Sequence, residues 1–197
     1  MLPPIILAPP LSASRWFNTT TPITLEALRG RVVVLHAFQM LCPGCVAQGL
    51  PQAKRVQQTF QSDEVVVLGL HTVFEHHAVM GPDALKAFLY EYRIEFPVAV
   101  DSPATGSSIP STMQAYELRG TPSLIVIDRQ GVVRLNHFGH IEDLQLGALI
   151  GALISEPTAD RKTITDKTGV CGRSELTSWR GCDDQQCDIQ KEGVDHK

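Results

Sequence analysis

Arg31–Cys45, RVVVLHAFQMLCPGC, is the stretch on which the fold of this chain turns. Its first half, through Phe38, is β-branched and apolar without alternation, which predicts a short strand buried on both faces, as in a parallel sheet. Its end, Cys42-Pro43-Gly44-Cys45, follows that strand directly and opens a helix whose polarity runs over 45–60, interrupted near Gly49 and Pro51. That setting carries more information than the four letters. Unpaired N–H groups and the macrodipole at a helix start stabilise an anion, so the leading thiol, Cys42, is expected to lose its proton readily. The thiolate is the attacking species in disulfide exchange. With two residues between them, Cys45 can reach Cys42 across the opening turn and resolve a mixed disulfide. The same spacing serves zinc clips, but a tetrahedral site needs two more ligands, and none is close in sequence, so no metal is expected. A pair of inert buried thiols is the remaining possibility.

Working outward, Val65–His71 is a second buried strand, and Leu85, Phe88, Leu89 and Tyr92 share one face of a helix over 83–93. Phe96–Val100 is a short strand, Ser102–Pro110 a loop, and Thr112–Leu118 a short helix. Ser123–Asp128 and Val132–Phe138 are strands joined by Arg129-Gln130-Gly131, a hairpin signal. Leu144, Leu146, Leu149, Ile150 and Leu153 line a last helix. Residues 1–30 read as irregular, with Trp16 and Phe17 against the core and one helical turn at Leu25–Leu28 ended by Gly30. The order predicts an α/β fold with a central, mostly parallel sheet, an antiparallel edge hairpin and helices on both faces. Residues 156–197 hold few aliphatic side chains and cannot bury much alone. The expected organisation is a lead-in (1–14), one domain (15–154) and a cysteine-containing, mobile tail (155–197).

The 197 residues suit one domain with an extension, and a 43% apolar content is enough for one core. A net charge of −4 with no basic stretch argues against a nucleic-acid partner. No segment approaches the roughly 18 apolar residues of a membrane span. The opening MLPPIILAPPLSAS has no Lys or Arg ahead of its apolar part, and Pro3, Pro4, Pro9 and Pro10 break any helical core of a signal peptide. A cytoplasmic protein is expected, or a periplasmic one if the start is trimmed.

Taken together, VVVLHAFQMLCPGC, the later Arg119-Gly120-Thr121-Pro122-Ser123, the strand LIVID and the lead-in TPITLEALRGRVVVL resemble the thioredoxin superfamily, nearest its TlpA/ResA-type and redoxin branch. The similarity covers roughly residues 15–154. It implies a thioredoxin-like fold and a thiol–disulfide oxidoreductase with catalytic Cys42 and Cys45, acting on disulfide-containing proteins. No cofactor is implied; electrons would come from an upstream thiol reductant. It also implies a cis bond at Pro122 facing the cysteine pair, with the Thr121 backbone pairing to an extended partner and Phe38 packed beneath.

The chain departs from that pattern in three places. His36 stands six residues before Cys42, where the family keeps a buried acid that takes protons from the resolving thiol; it could relay protons, or be a neutral core histidine. Leu41 replaces the usual tryptophan, and Pro51 falls one place later than the usual helix proline. A peroxiredoxin-like thiol peroxidase shares the fold, but Gln39 and Leu35 stand where such enzymes place a hydroxyl residue and a proline. A copper-handling thiol protein is a further possibility, drawing on His71, His76, His77, His137 and His140. Asp101 and Asp128 each end a strand and suit turn or cap roles. Cys171, Cys182 and Cys187 fit no zinc spacing. They read as exposed tail thiols, or one of them exchanges with the Cys42–Cys45 pair, since the residues from Ser155 to Cys171 could extend about 55 Å.

Overall fold

Strand β2, Val32–Phe38, is buried along its whole length and lies inside the sheet. Successive side chains of a strand point to opposite faces. Val32, Val34 and Phe38 therefore join one apolar cluster, while Val33, Leu35 and Ala37 join the other. Both faces are covered, which is why the run shows no hydrophobic alternation. The structure is a computed structural model that describes residues 6–157. The tail cysteines, Cys171, Cys182 and Cys187, lie outside the described residues.

β3 (Val65–His71) runs parallel to β2, in register from Val32 opposite Val65 to Phe38 opposite His71, and β4 (Val98–Asp101) runs parallel to β3. On the other side, β5 (Ser123–Ile127) is antiparallel to β2, and β6 (Val133–Phe138) closes the expected hairpin. The sheet is more mixed than the sequence suggested. Its parallel part is confined to β2, β3 and β4, and both edges are antiparallel. Residues read as irregular supply the second edge: β1 (Ala13–Phe17) pairs antiparallel with β4, giving the order β1-β4-β3-β2-β5-β6. β1 is only partly buried, so it lacks the apolar signature that betrays an inner strand. Residues ahead of it are also tied down, with Leu7 bridged to Val132, and Pro9 accepting a 2.7 Å bond from the Tyr116 hydroxyl.

Three helices cover the face that holds Cys45: α1 (Leu50–Thr59), α2 (Pro82–Glu91) and α4 (Asp143–Ser155). The short α3 (Ser111–Ala115) and a tight turn at Glu26–Leu28 cover the other. Leu146, Ile150 and Leu153 form the buried stripe of α4, but Leu144 is 85% exposed, against expectation, because it lies off that stripe. The two strand-end carboxylates have local duties. Asp101 accepts the N–H groups of Thr112 and Met113 at the start of α3 (2.8 and 3.0 Å), and Asp128 accepts those of Gln130 and Val132 in the hairpin turn (3.0 and 2.8 Å). Among the described residues, no helix is long and apolar enough to cross a membrane.

Candidate active site

At the exit of β2 the chain turns through Met40 and Leu41 and enters a helix at Pro43. The Val46 N–H donates to the Cys42 carbonyl (3.1 Å), so Cys42 is the capping residue. Its sulfur stands where a capping side-chain oxygen usually does, accepting the Cys45 N–H at 3.2 Å. The first turns are wound as a π-helix over Cys45–Gly49, in which the Leu50 N–H reaches back five residues to the Cys45 carbonyl. This accounts for the late helix proline: Pro51 has no N–H to donate, and the wider turn absorbs one extra residue before regular α-helix resumes at Leu50.

Thr121 and Pro122, some eighty positions along the chain, come to the same place. The Thr121–Pro122 bond is cis, and the Cys42 thiol donates to the Thr121 carbonyl at 3.4 Å. Pro122 lies against the helix start so closely that a Cβ added to Gly44 would stand 3.2 Å from its Cδ, and one added to Gly49 3.3 Å from its Cβ. The Gly139 N–H donates to the Pro122 carbonyl at 2.8 Å and fastens the loop to the end of β6. Phe38, fully buried, belongs to the same apolar cluster as Cys45, and Cys42 packs against that cluster.

The two thiols have unlike surroundings. Cys42 is half-buried and Cys45 is fully buried. Burial first, and then the Cys42 side chain, push the Cys45 thiol up to about 12, against smaller opposing hydrogen bonds from Gln39 and Thr121. His36, 2% exposed, touches the same corner: a Cβ on Gly49 would be 3.3 Å from its Cε1. Neither of its ring nitrogens has a hydrogen-bond partner among the described residues. Burial lowers its pKa to about 4, outweighing the nearby Gln52 amide, which favours the charged form, so the ring is neutral at pH 7.

The candidate histidine ligands are not gathered. His71 is buried in the core beside Phe38, and His76 and His77 are exposed. His137 bonds the His140 carbonyl, and no group of three or more His, Cys, Asp or Glu among the described residues could hold a metal ion. Two features escaped the sequence. Gly49, which lets the helix approach His36 and Pro122, looked only like a helix interruption. Phe138, 52% exposed, lays its ring so near Gly120 that an added Cβ would be 2.9 Å from Cε2. Alternation along β6 would have put Phe138 on an exposed face, but no local pattern places it beside residue 120.

The profile of the AhpC/TSA family matches residues 7–136. Over 137 residues the chain is 31% identical to NHL repeat-containing protein 2 of Gallus gallus, a match that takes in 67% of this chain but only 18% of that protein's length. A crystal structure of a thioredoxin-like superfamily protein, 55% identical, superposes with a TM-score of 0.76, covering 77% of this chain and 98% of the other. A thiol-disulfide isomerase from Corynebacterium glutamicum, 51% identical, gives 0.73, with 76% and 98% covered.

Proposed function

The chain belongs to the AhpC/TSA family within the thioredoxin superfamily and is a thiol–disulfide oxidoreductase; from that premise we propose that Cys42 and Cys45 reduce disulfides in protein partners. The supporting observation is the unequal pair: a half-buried sulfur bonded to the Thr121 carbonyl and the Cys45 N–H, backed by a fully buried thiol.

Cys42, as thiolate, attacks one sulfur of the partner disulfide. The partner S–S bond breaks, one partner sulfur leaves as thiolate, and a mixed disulfide joins Cys42 to the other. Cys45 then gives up its proton and attacks the Cys42 sulfur, releasing the second partner thiol. Two electrons have passed to the partner, and a Cys42–Cys45 disulfide remains for an upstream thiol reductant to reopen. Thr121 and Pro122 hold the partner's extended strand, with exposed Leu41 beside Cys42 as apolar contact. His36 relays the Cys45 proton. A neutral imidazole has one accepting and one donating nitrogen, so it can pass a proton on without keeping the charge that its burial disfavours.

Insulin reduction tests this assignment. Cys42→Ala is expected to abolish turnover, and Cys45→Ser to accumulate mixed disulfides visible by mass spectrometry. An unchanged rate in Cys42→Ala overturns it.

A further inference from the structure

Gln39 leaves β2 pointing inward and is 1% exposed. A primary amide carries two N–H donors and one carbonyl, and inside a protein each needs a partner. Phe74 sets its orientation: the Phe74 N–H donates to Gln39 Oε1 at 3.4 Å. Nε2 then faces two acceptors, Glu75 Oε1 and Thr121 Oγ1, each at 3.4 Å. The main-chain carbonyl of the same residue accepts the Cys42 N–H at 3.3 Å. A single residue thus ties the Cys42 turn, the segment after β3 and the loop that carries Pro122. Bonds of this length are individually weak. Their convergence on one buried amide changes the balance, because displacing Thr121 removes a partner from a donor that water cannot reach.

We propose that Gln39 is a positioning residue: its side-chain amide fixes Thr121 where an extended partner segment binds. It therefore governs recognition of protein disulfides and leaves the chemistry of Cys42 with small disulfides nearly untouched. This inference rests on the protein-disulfide activity proposed above. It gives Gln39 a role that its lack of a peroxidase-type hydroxyl does not suggest. The two N–H groups of the amide face Glu75 and Thr121 in the described structure.

The test compares two substrates on the full chain. Gln39→Met keeps the side chain's length and removes its hydrogen bonds. It is expected to raise the KM for insulin about three- to tenfold, the factor one hydrogen bond is worth, with kcat within about twofold. The reaction of Cys42 with the small disulfide dithiobisnitrobenzoate is expected to change by less than about twofold, since that reagent makes no strand contact with Thr121. An unmoved KM, or an equal loss on both substrates, overturns the role. Should Gln39→Met fail to fold, an exchange pair decides. Gln39→Glu keeps the acceptor for Phe74 but sets a carboxylate against Glu75, and should raise the KM. Adding Glu75→Gln restores a donor–acceptor pair and should return the KM toward wild type; no return overturns the role. A wild-type chain that turns over the small disulfide but not insulin refutes the protein-disulfide activity and this role with it. Wild-type turnover of insulin with an unresponsive Gln39 refutes this role alone.

Discussion

The site has an open half and a sealed half, and they are built from different materials. Around Cys42 the hydrogen bonds are made with backbone, the Thr121 carbonyl and the Cys45 N–H, and one step out the Gln39 side-chain amide holds the Thr121 hydroxyl. Around Cys45 burial dominates, with Phe38 and Leu50 in the same apolar cluster, and the His36 ring at that corner has no hydrogen-bond partner among the described residues. Only Pro43 and Gly44 separate the two cysteines, yet one sulfur is half-buried and bonded to the Thr121 carbonyl while the other is sealed in the core. A helix start achieves this by geometry: its capping residue faces out, and the third residue of its first turn faces in.

The contrast should be largest in chemical labelling. A thiol near 12 is almost wholly protonated at pH 7, and only the thiolate reacts. In the reduced protein, iodoacetamide is therefore expected to modify Cys42 at least about a hundredfold faster than Cys45, as read by peptide mapping. Comparable rates would erase the distinction between the halves.

Acid is the next way to probe the sealed half. His36 and His71 are both lowered from 6.5 to about 4 in the folded protein, chiefly by burial. The unfolded chain then binds more protons than the native one between those values. Stability is fully present above pH 6.5 and falls as pH drops toward 4, by roughly 3 kcal/mol for each ring. Urea midpoints at pH 7 and pH 4.5 measure it, and His71→Phe, which keeps a ring against Phe38, should remove about half of the slope. A slope unchanged by that substitution would mean that His71 is not buried neutral.

A smaller effect separates two glycines. Gly49→Leu drives a side chain against His36 and Pro122 and is expected to cost about 1–3 kcal/mol, with loss of insulin reduction as Pro122 is pushed from Cys42. Gly147→Ala, on α4 with open space around it, should instead stabilise by up to about 1 kcal/mol through helix propensity. Thermal melts of the two variants check the pair. Equal behaviour would show that the helix start does not press on the loop.

Much of this was legible before any coordinates. The buried run Val32–Phe38, the periodicity that buries Leu85 and Leu89, the hairpin at Gly131 and the cap duty of Asp101 are written in local patterns. Each such pattern records an environment repeated every two or every three to four residues, and a repeated environment leaves a repeated composition. The resemblance added the cis bond at Pro122, which composition does not encode. β1 escaped because an edge strand is half wet and lacks that imprint, and the π-turn escaped because a displaced proline has more than one structural remedy.

By itself the sequence determined the inner strands, the longer helices, the dithiol at a strand-to-helix junction and the two-sided burial of Val32–Phe38. Only the tertiary structure decided which thiol is sealed, that Gln39 meets Thr121 eighty-two positions away, and that Gly49 makes room for Pro122. The physical reason is range. Backbone preference and burial periodicity act over a few residues, whereas contacts between distant segments are selected by the packing of the whole core, and no local stretch of chain carries their signature.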